Sequence, residues 1–245
     1  MSNLPMDQHH EQLRFIEVSG RRIATTFHAA PGERVVIFCH GFLGSKLGPR
    51  RCFVRLARQL QERDVCTLRF DQYGSGDSAG DFFDSSFDEW ITTTKALVRR
   101  YREDGYRVAL LGQSMGGATV LAVAGDLGAE VASVVAWAPD PSVDPLQPGD
   151  AWSEEEGQRV RRTYWQEAHD ADIIGRFRAI SAPTLVFVPT DDDYVSAENR
   201  QALLAARRAH QRIEVLAGWP HSAWTYDQAT RVIDQSADFL VAQFQ

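Results

Sequence analysis

Short apolar segments alternate with segments of helical period along this chain, and this alternation constrains its fold more than any other feature. Eight segments are apolar, are bounded by turn-forming residues and predict strands. They span residues 14–18, 22–28, 34–39, 65–70, 107–112, 132–138, 184–189 and 212–218. The later ones are apolar on both faces, which is typical of parallel strands that helices cover on both sides.

Segments with helical spacing lie between these strands, at residues 52–64, 87–104, 196–210 and 227–245. Such an order predicts an α/β fold, with a mostly parallel eight-stranded sheet, helices on both faces and an antiparallel hairpin at the N-terminus. In sheets of this kind, ligands bind at the carboxyl ends of the strands. We therefore look for functional residues in the loops that follow the strands.

One stretch, residues 141–180, is too long for a simple connection between two strands. A crossover needs only about a dozen residues. We predict that this stretch is a small helical cap inserted into the fold. The chain contains no repeat and no linker-like tract, so residues 1–245 are expected to form a single domain.

Charge and hydropathy exclude several classes of function. Lys and Arg total 26 against 33 Asp and Glu, a formal charge of −7, so no cationic excess is available to neutralise the phosphates of a nucleic acid. No segment approaches the ~20 consecutive apolar residues that span a bilayer. The first residues lack the apolar region of a secretory signal. We expect a soluble, cytoplasmic protein with no membrane span and no nucleic-acid partner.

Ser114 lies in the sequence Gly-Gln-Ser-Met-Gly, directly after a predicted strand and before a run of small, helix-compatible residues. A glycine on either side of the serine permits a sharp turn that exposes its hydroxyl, so this context predicts a nucleophile. The alternative is an ordinary serine in a βα turn. A nucleophilic serine needs a base to accept its proton and a third group to orient that base.

A base and several acids follow Ser114 in the chain. His221 comes after the last predicted strand, in a loop, and is the candidate base. The acids that follow strands on the same edge are Asp140, Asp191, Asp192 and Asp193. The order serine, acid, histidine is the one that a nucleophile on a strand-turn-helix requires. The residues alone leave the choice among the acids open.

Two backbone amides are candidates for an oxyanion hole, which stabilises the negative charge of a tetrahedral intermediate. One belongs to Met115, at the start of the helix after the nucleophile, and the other to Phe42, in the loop after the third strand. A plain glycine turn at Gly41 is the alternative for that loop. The side chains expected to line an apolar pocket are Phe82, Phe83, Met115, Trp152, Trp165 and Trp224. Packing within the cap is the alternative for these aromatic residues.

A loose dinucleotide-binding pattern occurs at Gly74, Gly76 and Ala79. Nucleotide binding would require a helix to begin directly at these glycines. A polar, turn-rich segment follows instead, so we expect no nucleotide. We likewise expect no other cofactor and no metal.

Taken together, the motifs resemble those of α/β-hydrolases of the serine esterase and lipase type. The matching segments are residues 40–42, 69–80, 112–117, 183–195 and 218–224, and the resemblance covers residues 34–245. Within the fold, residues 69–90 resemble bacterial carboxylesterases of the cinnamoyl or feruloyl esterase and monoacylglycerol-lipase-like groups. The family pattern D-x-x-V implies that Asp192 is the catalytic acid. Gln113, where these groups often have His, and Val188-Pro189, where they often have His-Gly, depart from the pattern and leave the substrate open.

The resemblance implies a serine hydrolase that cleaves small-molecule carboxylic esters through an acyl-enzyme, using Ser114, Asp192 and His221. A thioesterase or acyltransferase could use the same residues. A ligand-binding receptor with slow turnover is an alternative from a different class. The sequence leaves the oligomeric state undetermined.

Overall fold

The computed structural model describes residues 11–144, 147 and 149–244. The rest of the predicted domain, and residues 145, 146 and 148 of the predicted cap, lie outside the described residues. The strands are β1 (Glu11–Val18), β2 (Arg21–His28), β3 (Arg34–Cys39), β4 (Cys66–Phe70), β5 (Arg107–Gln113), β6 (Val134–Trp137), β7 (Trp152–Glu155), β8 (Gln158–Arg161), β9 (Thr184–Pro189) and β10 (Gln211–Leu216). Each of the eight predicted strands is present, with ends that shift by three residues at most.

Eight of the strands form one sheet, in the order β1-β2-β4-β3-β5-β6-β9-β10. β2 pairs antiparallel with both β1 and β4. All other neighbours in the sheet are parallel. The predicted fold class is therefore confirmed, including the antiparallel N-terminal hairpin. The carboxyl ends of β3, β5, β6, β9 and β10 meet at one edge.

Helices cover both faces of this sheet. The described α-helices are α1 (Cys52–Gln61), α2 (Phe87–Glu103), α3 (Met115–Leu127), α4 (Arg162–Asp170), α5 (Ile173–Ala179), α6 (Ala197–Ala206) and α7 (Tyr226–Ala242). None of these helices combines the length and the apolar character needed to cross a bilayer. β5 shows why a central strand is apolar throughout. Val108 and Leu110 belong to the core cluster that contains residues of α2 and α3, whereas Ala109 and Leu111 belong to the cluster that contains residues of α1 and α7.

The insertion between β6 and β9 contains helices α4 and α5, as predicted, and also a hairpin that the prediction lacked. Strands β7 and β8 pair antiparallel across a two-residue turn. Glu156 (φ 49°) and Gly157 (φ 80°) occupy that turn with positive φ, as tight hairpin turns require. Each strand has four residues, and only Val160 among them is buried. Strands so short and polar carry almost no alternation of hydrophobicity from which to predict them.

Candidate active site

Ser114 lies on the turn between β5 and α3, with φ 55° and ψ −124°. A residue with a side chain adopts such a conformation only at a cost in free energy, so surrounding contacts must hold it in place. The Ser114 amide donates to the carbonyl of Trp137 at 2.8 Å, and its carbonyl accepts from the amide of Ala118 at 2.9 Å. The hydroxyl does not cap the helix. The backbone is therefore fixed, whereas the hydroxyl forms no hydrogen bond with any residue that the structure describes.

The two flanking glycines allow this turn because their neighbours leave no room for a side chain. A Cβ atom on Gly112 would lie 2.1 Å from the carbonyl oxygen of Gly116. One on Gly116 would lie 2.2 Å from the carbonyl oxygens of Cys39 and His40. These obstacles are backbone atoms, so they cannot rotate away. The start of α3 consequently packs directly against the end of β3, which places Ser114 beside the loop that follows β3.

His221, in the loop between β10 and α7, is oriented by Asp192, in the loop after β9. Its Nδ1 atom lies 2.7 Å from Oδ2 of Asp192, and both side chains are buried. Oδ1 of the same carboxylate accepts the amides of Tyr194 and Val195, each at 2.9 Å. With Nδ1 donating to the carboxylate, Nε2 of His221 is left as the proton acceptor. The arrangement fixes both the ring and its tautomer.

The environment of Asp192 keeps it ionised. Burial raises the pKa of this carboxyl group, but the hydrogen bonds from His221 and from the amides of Val195 and Tyr194 outweigh burial, so that the pKa is lowered overall. The neighbouring acids Asp191 and Asp193 are exposed. Among the three adjacent acids, Asp192 is therefore the one that contacts the candidate base.

Ser114 and His221 line the same cavity. No hydrogen bond between the two side chains is formed within the described part of the chain. Hydrogen bonds of this type often tighten only when substrate is bound. The structure thus brings the three predicted residues to one edge of the sheet, without a hydrogen bond between Ser114 and His221.

The loop that carries Phe42 is held by the buried side chain of His40. Nε2 of His40 accepts the amide of Gln72 at 2.9 Å, so Nδ1 carries the proton and donates to the carbonyl of Gly41 at 2.8 Å. The amide of Gly44 donates to the same carbonyl at 3.0 Å. Because a trans peptide is planar, the N–H of Phe42 points away from these two donors. Burial lowers the pKa of His40, which keeps this ring neutral and its tautomer fixed.

The amide of Met115 is the second predicted oxyanion donor. It belongs to the first residue of α3, where backbone N–H groups have no partner within the helix and the helix dipole favours negative charge. A Cβ atom on Gly41 would lie 3.1 Å from Cβ of Ser114, so the Phe42 loop passes close to the serine. Both amides therefore belong to segments next to Ser114, and their role as an oxyanion hole stays a prediction.

Two cavities, of about 650 and 530 Å³, adjoin at Ser114. Phe42, Ser114 and Tyr194 line both of them. The larger one, here called the first cavity, extends toward the loop after β6 and the start of α6. The second cavity extends over His40 and His221. A substrate with groups on both sides of a central carbonyl carbon could thus place that carbon at the serine.

The predicted pocket residues differ in where they lie. Met115 and Trp165 line the first cavity. Phe82 is buried beneath Phe42, with ring centroids 5.2 Å apart. Phe83 and Trp152 instead contact Arg161 and Arg159, respectively, at the surface of the cap.

Trp224 lies on the opposite side of the sheet from the cap, which corrects its predicted place in the pocket. Its ring packs 5.7 Å from that of Trp137, in the core cluster that contains residues of α7. Its indole N–H donates to the carbonyl of Pro220 at 2.9 Å. The residue follows His221 by only three positions, but the chain turns toward the core within that distance.

Sequence reasoning missed several residues of the first cavity, including Tyr194, Glu155 and Asn199. Tyr194 stands two positions after Asp192, and its ring packs 5.0 Å from the imidazole of His221. That spacing in the loop was the available signal. No sequence signal points to Glu155 or Asn199, because the cap and α6 bring them to the cavity.

Asp140, which follows β6, also lines the first cavity. Burial raises the pKa of its carboxyl group to about 7 from an ordinary value of 3.8; the negative charges of Asp192 and Asp144 act in the same direction, and Ser142 and His221 oppose them. The native state therefore retains this proton where the unfolded chain has lost it. As pH rises from about 4 to about 7, the unfolded chain ionises at this residue while the native state stays protonated, so the free energy of unfolding falls progressively, and the full cost is present above that window.

Replacement of Asp140 by asparagine is accordingly expected to raise the free energy of unfolding, and to raise it more at pH ~8 than at pH ~5. The cost removed is at most about 4 kcal/mol, the free energy that corresponds to a pKa of about 7 in place of 3.8. Urea unfolding of the wild type and of Asp140→Asn at both pH values measures the difference. An equal gain at both pH values would contradict the raised pKa.

The chain belongs to the alpha/beta hydrolase family, whose family model matches residues 36–244. No curated protein matches the chain. Est1E from Butyrivibrio proteoclasticus, solved with ferulic acid bound, is similar in structure, with a TM-score of 0.83 and 21% identity over 94% of this chain and 99% of Est1E.

Two further solved structures share the fold. The monoacylglycerol lipase of Paleococcus ferrophilus has a TM-score of 0.74 and 19% identity, over 90% of this chain and 99% of the lipase. A thioesterase domain from the curacin biosynthetic pathway has a TM-score of 0.69 and 12% identity, over 95% of this chain and 99% of that domain. These neighbours include proteins named for ester and for thioester substrates, so the fold does not specify one reaction.

Proposed function

We propose that this protein is a serine hydrolase that cleaves carboxylic esters of small molecules through an acyl-enzyme intermediate. One observation carries the proposal: the free hydroxyl of Ser114 lies on a strained turn where two cavities meet, and one of them also holds His221, whose Nδ1 is bonded to Asp192. A structural serine in a βα turn would need neither the strain nor an oriented histidine.

The proposed reaction has two steps. Ser114 Oγ attacks the ester carbonyl carbon while Nε2 of His221 accepts its proton, and the amides of Phe42 and Met115 bind the resulting oxyanion. The intermediate collapses, the C–O bond to the alcohol breaks, and His221 returns the proton to the departing alcohol. A water molecule, deprotonated by the same imidazole, then attacks the acyl carbon; the bond to Oγ of Ser114 breaks, and His221 returns the proton to that oxygen. Asp192 stabilises the imidazolium that forms twice in this cycle.

The structural neighbours support ester chemistry, and a thioesterase domain among them makes thioester cleavage the second candidate. Both reactions use the same attack and differ in the leaving group. Matched pairs of esters and thioesters of graded acyl length distinguish the two. We expect higher kcat/KM for the oxygen esters, with the background set by Ser114→Ala. Cleavage of thioesters alone would show that the substrates are thioesters and not oxygen esters. If no substrate is turned over above that background, the proposal of a hydrolase is rejected.

A further inference from the structure

The charged groups of the first cavity are all acidic. Its lining contains four carboxylates, from Asp140, Asp144, Glu155 and Glu198. No Lys, Arg or His of the described chain lines it. The cavity is defined independently of these charges, since it opens directly onto Ser114.

These four carboxylates have no ion-pair partner among the described residues. Some other acids of the protein do form ion pairs. Asp126, for example, lies 2.6 Å from Nζ of Lys95 and 3.3 Å from Nε of Arg176. The negative charge of the first cavity is therefore left uncompensated, although the chain has 26 basic residues.

Two of the carboxylates lie inside the cavity and two at its rim. Asp140 and Glu155 are partly buried, whereas Asp144 and Glu198 are exposed. Oδ1 of Asp140 accepts only the amide of Ser142, at 3.3 Å, and Oδ2 has no partner among the described residues. Leaving carboxylate oxygens partly buried and unpaired costs free energy. A ligand that supplied positive charge would recover that cost.

Aromatic rings form other parts of the same lining. Phe42, Trp165 and Tyr194 line the first cavity, and the rings of Phe42 and Trp165 lie 4.9 Å apart. Ring faces attract cations, and the attraction is strongest when the cation is weakly hydrated, as an alkylammonium group is. Carboxylates and aromatic rings together favour an organic cation over a metal ion.

We propose that the substrate carries an alkylammonium group, which binds in the first cavity while the ester carbonyl lies at Ser114. The inference rests on the proposed function and narrows its substrate class. A substrate with a carboxylate at the same place would meet four like charges and is disfavoured. A neutral substrate gains the apolar contacts but not the electrostatic attraction.

Isosteric ester pairs test this charge preference. In the first pair, the acyl chain of the ester ends either in a trimethylammonium group or in a tert-butyl group. In the second pair, the same two groups end the alcohol part, as in choline butyrate and its tert-butyl analogue. The members of each pair have nearly the same shape and differ in charge. At pH ~8, where Asp140 is ionised, we expect the cationic member of at least one pair to have a kcat/KM about tenfold higher, a preference that weakens at high salt.

Charge-neutralising variants assign this preference to the cavity. Asp140→Asn and Glu155→Gln should each reduce the ratio of cationic to neutral kcat/KM several-fold while the neutral ester is still cleaved. Glu103→Gln, at the exposed end of α2, removes the same charge far from the cavity and is the matched control. A preference for the neutral member in both pairs, or a ratio that neither cavity variant changes, would overturn the inference and leave the hydrolase intact.

A binding measurement that needs no turnover distinguishes failure of this inference from failure of the proposed function. If no ester is cleaved, the proposed hydrolase fails, and choline and its tert-butyl isostere then test the cavity directly by calorimetric titration of the wild-type protein. Tighter binding of choline, weakened in Asp140→Asn, would support a cation site. Equal affinity for the two, or tighter binding of the neutral isostere, would overturn it.

Discussion

Replacement of Ser114 by alanine is expected to abolish ester hydrolysis, with a loss of kcat on the order of 10⁵-fold or more. The reason is chemical, because among the described residues only Ser114 carries a hydroxyl on the turn between β5 and α3, and that hydroxyl is the proposed nucleophile. Alanine removes a single oxygen atom. The hydroxyl makes no capping bond in the native structure, so the thermal midpoint should change little. Initial rates with a nitrophenyl ester, together with a melting curve, measure both quantities.

Ser181→Ala is the matched control for this variant. Ser181 is exposed, precedes β9 and contacts neither cavity, so its loss should leave the rate unchanged. A Ser114→Ala protein that folds normally and retains more than about a tenth of the wild-type rate would show that another group performs the attack.

The second large effect is expected for Asp192→Asn, with kcat about 10⁴-fold lower. Asparagine keeps the shape of the side chain but loses the charge that stabilises an imidazolium. If its amide nitrogen faces His221, Nδ1 becomes an acceptor and the proton moves to Nε2, where the serine proton has to be received. Rates measured across a range of pH show whether excess base rescues the variant, as it would if only the protonation state of His221 were affected.

Asp193→Asn is the internal control, because that side chain is adjacent in sequence, exposed and without a hydrogen bond among the described residues. It should retain wild-type activity. A loss of activity in Asp193→Asn but not in Asp192→Asn would contradict the orientation of His221 seen in the structure.

The sequence was sufficient to predict the sheet, because each central strand has to be apolar on both faces and therefore stands out from the amphipathic helices around it. β5 is the clearest case, with alternate residues in two separate cores. The cap hairpin was not predictable in the same way. Its strands bury one residue of eight, so tertiary contacts rather than periodicity determine it.

The candidate site also contains residues that the sequence predicts and residues that only tertiary contacts bring together. Ser114 and His221 could be located from the sequence because each follows a recognisable strand, and the resemblance to esterases singled out Asp192 among adjacent acids. Their catalytic roles remain predictions. The pocket could not be predicted from composition, since aromatic residues are equally suited to a core. Trp224 packs beside Trp137, whereas the acids that distinguish the first cavity come from separate loops and the cap.

The central claim is that Ser114 becomes acylated, and intact-protein mass spectrometry tests it most directly. Protein mixed with excess nitrophenyl ester and quenched in acid should gain the mass of one acyl group, and peptide mapping should place that group on Ser114. The adduct should be absent from Ser114→Ala, and it should form in His221→Ala only if Ser114 can attack the ester without the base. Turnover of the ester with no adduct trapped at any time, or with the acyl group on a different residue, would contradict the account.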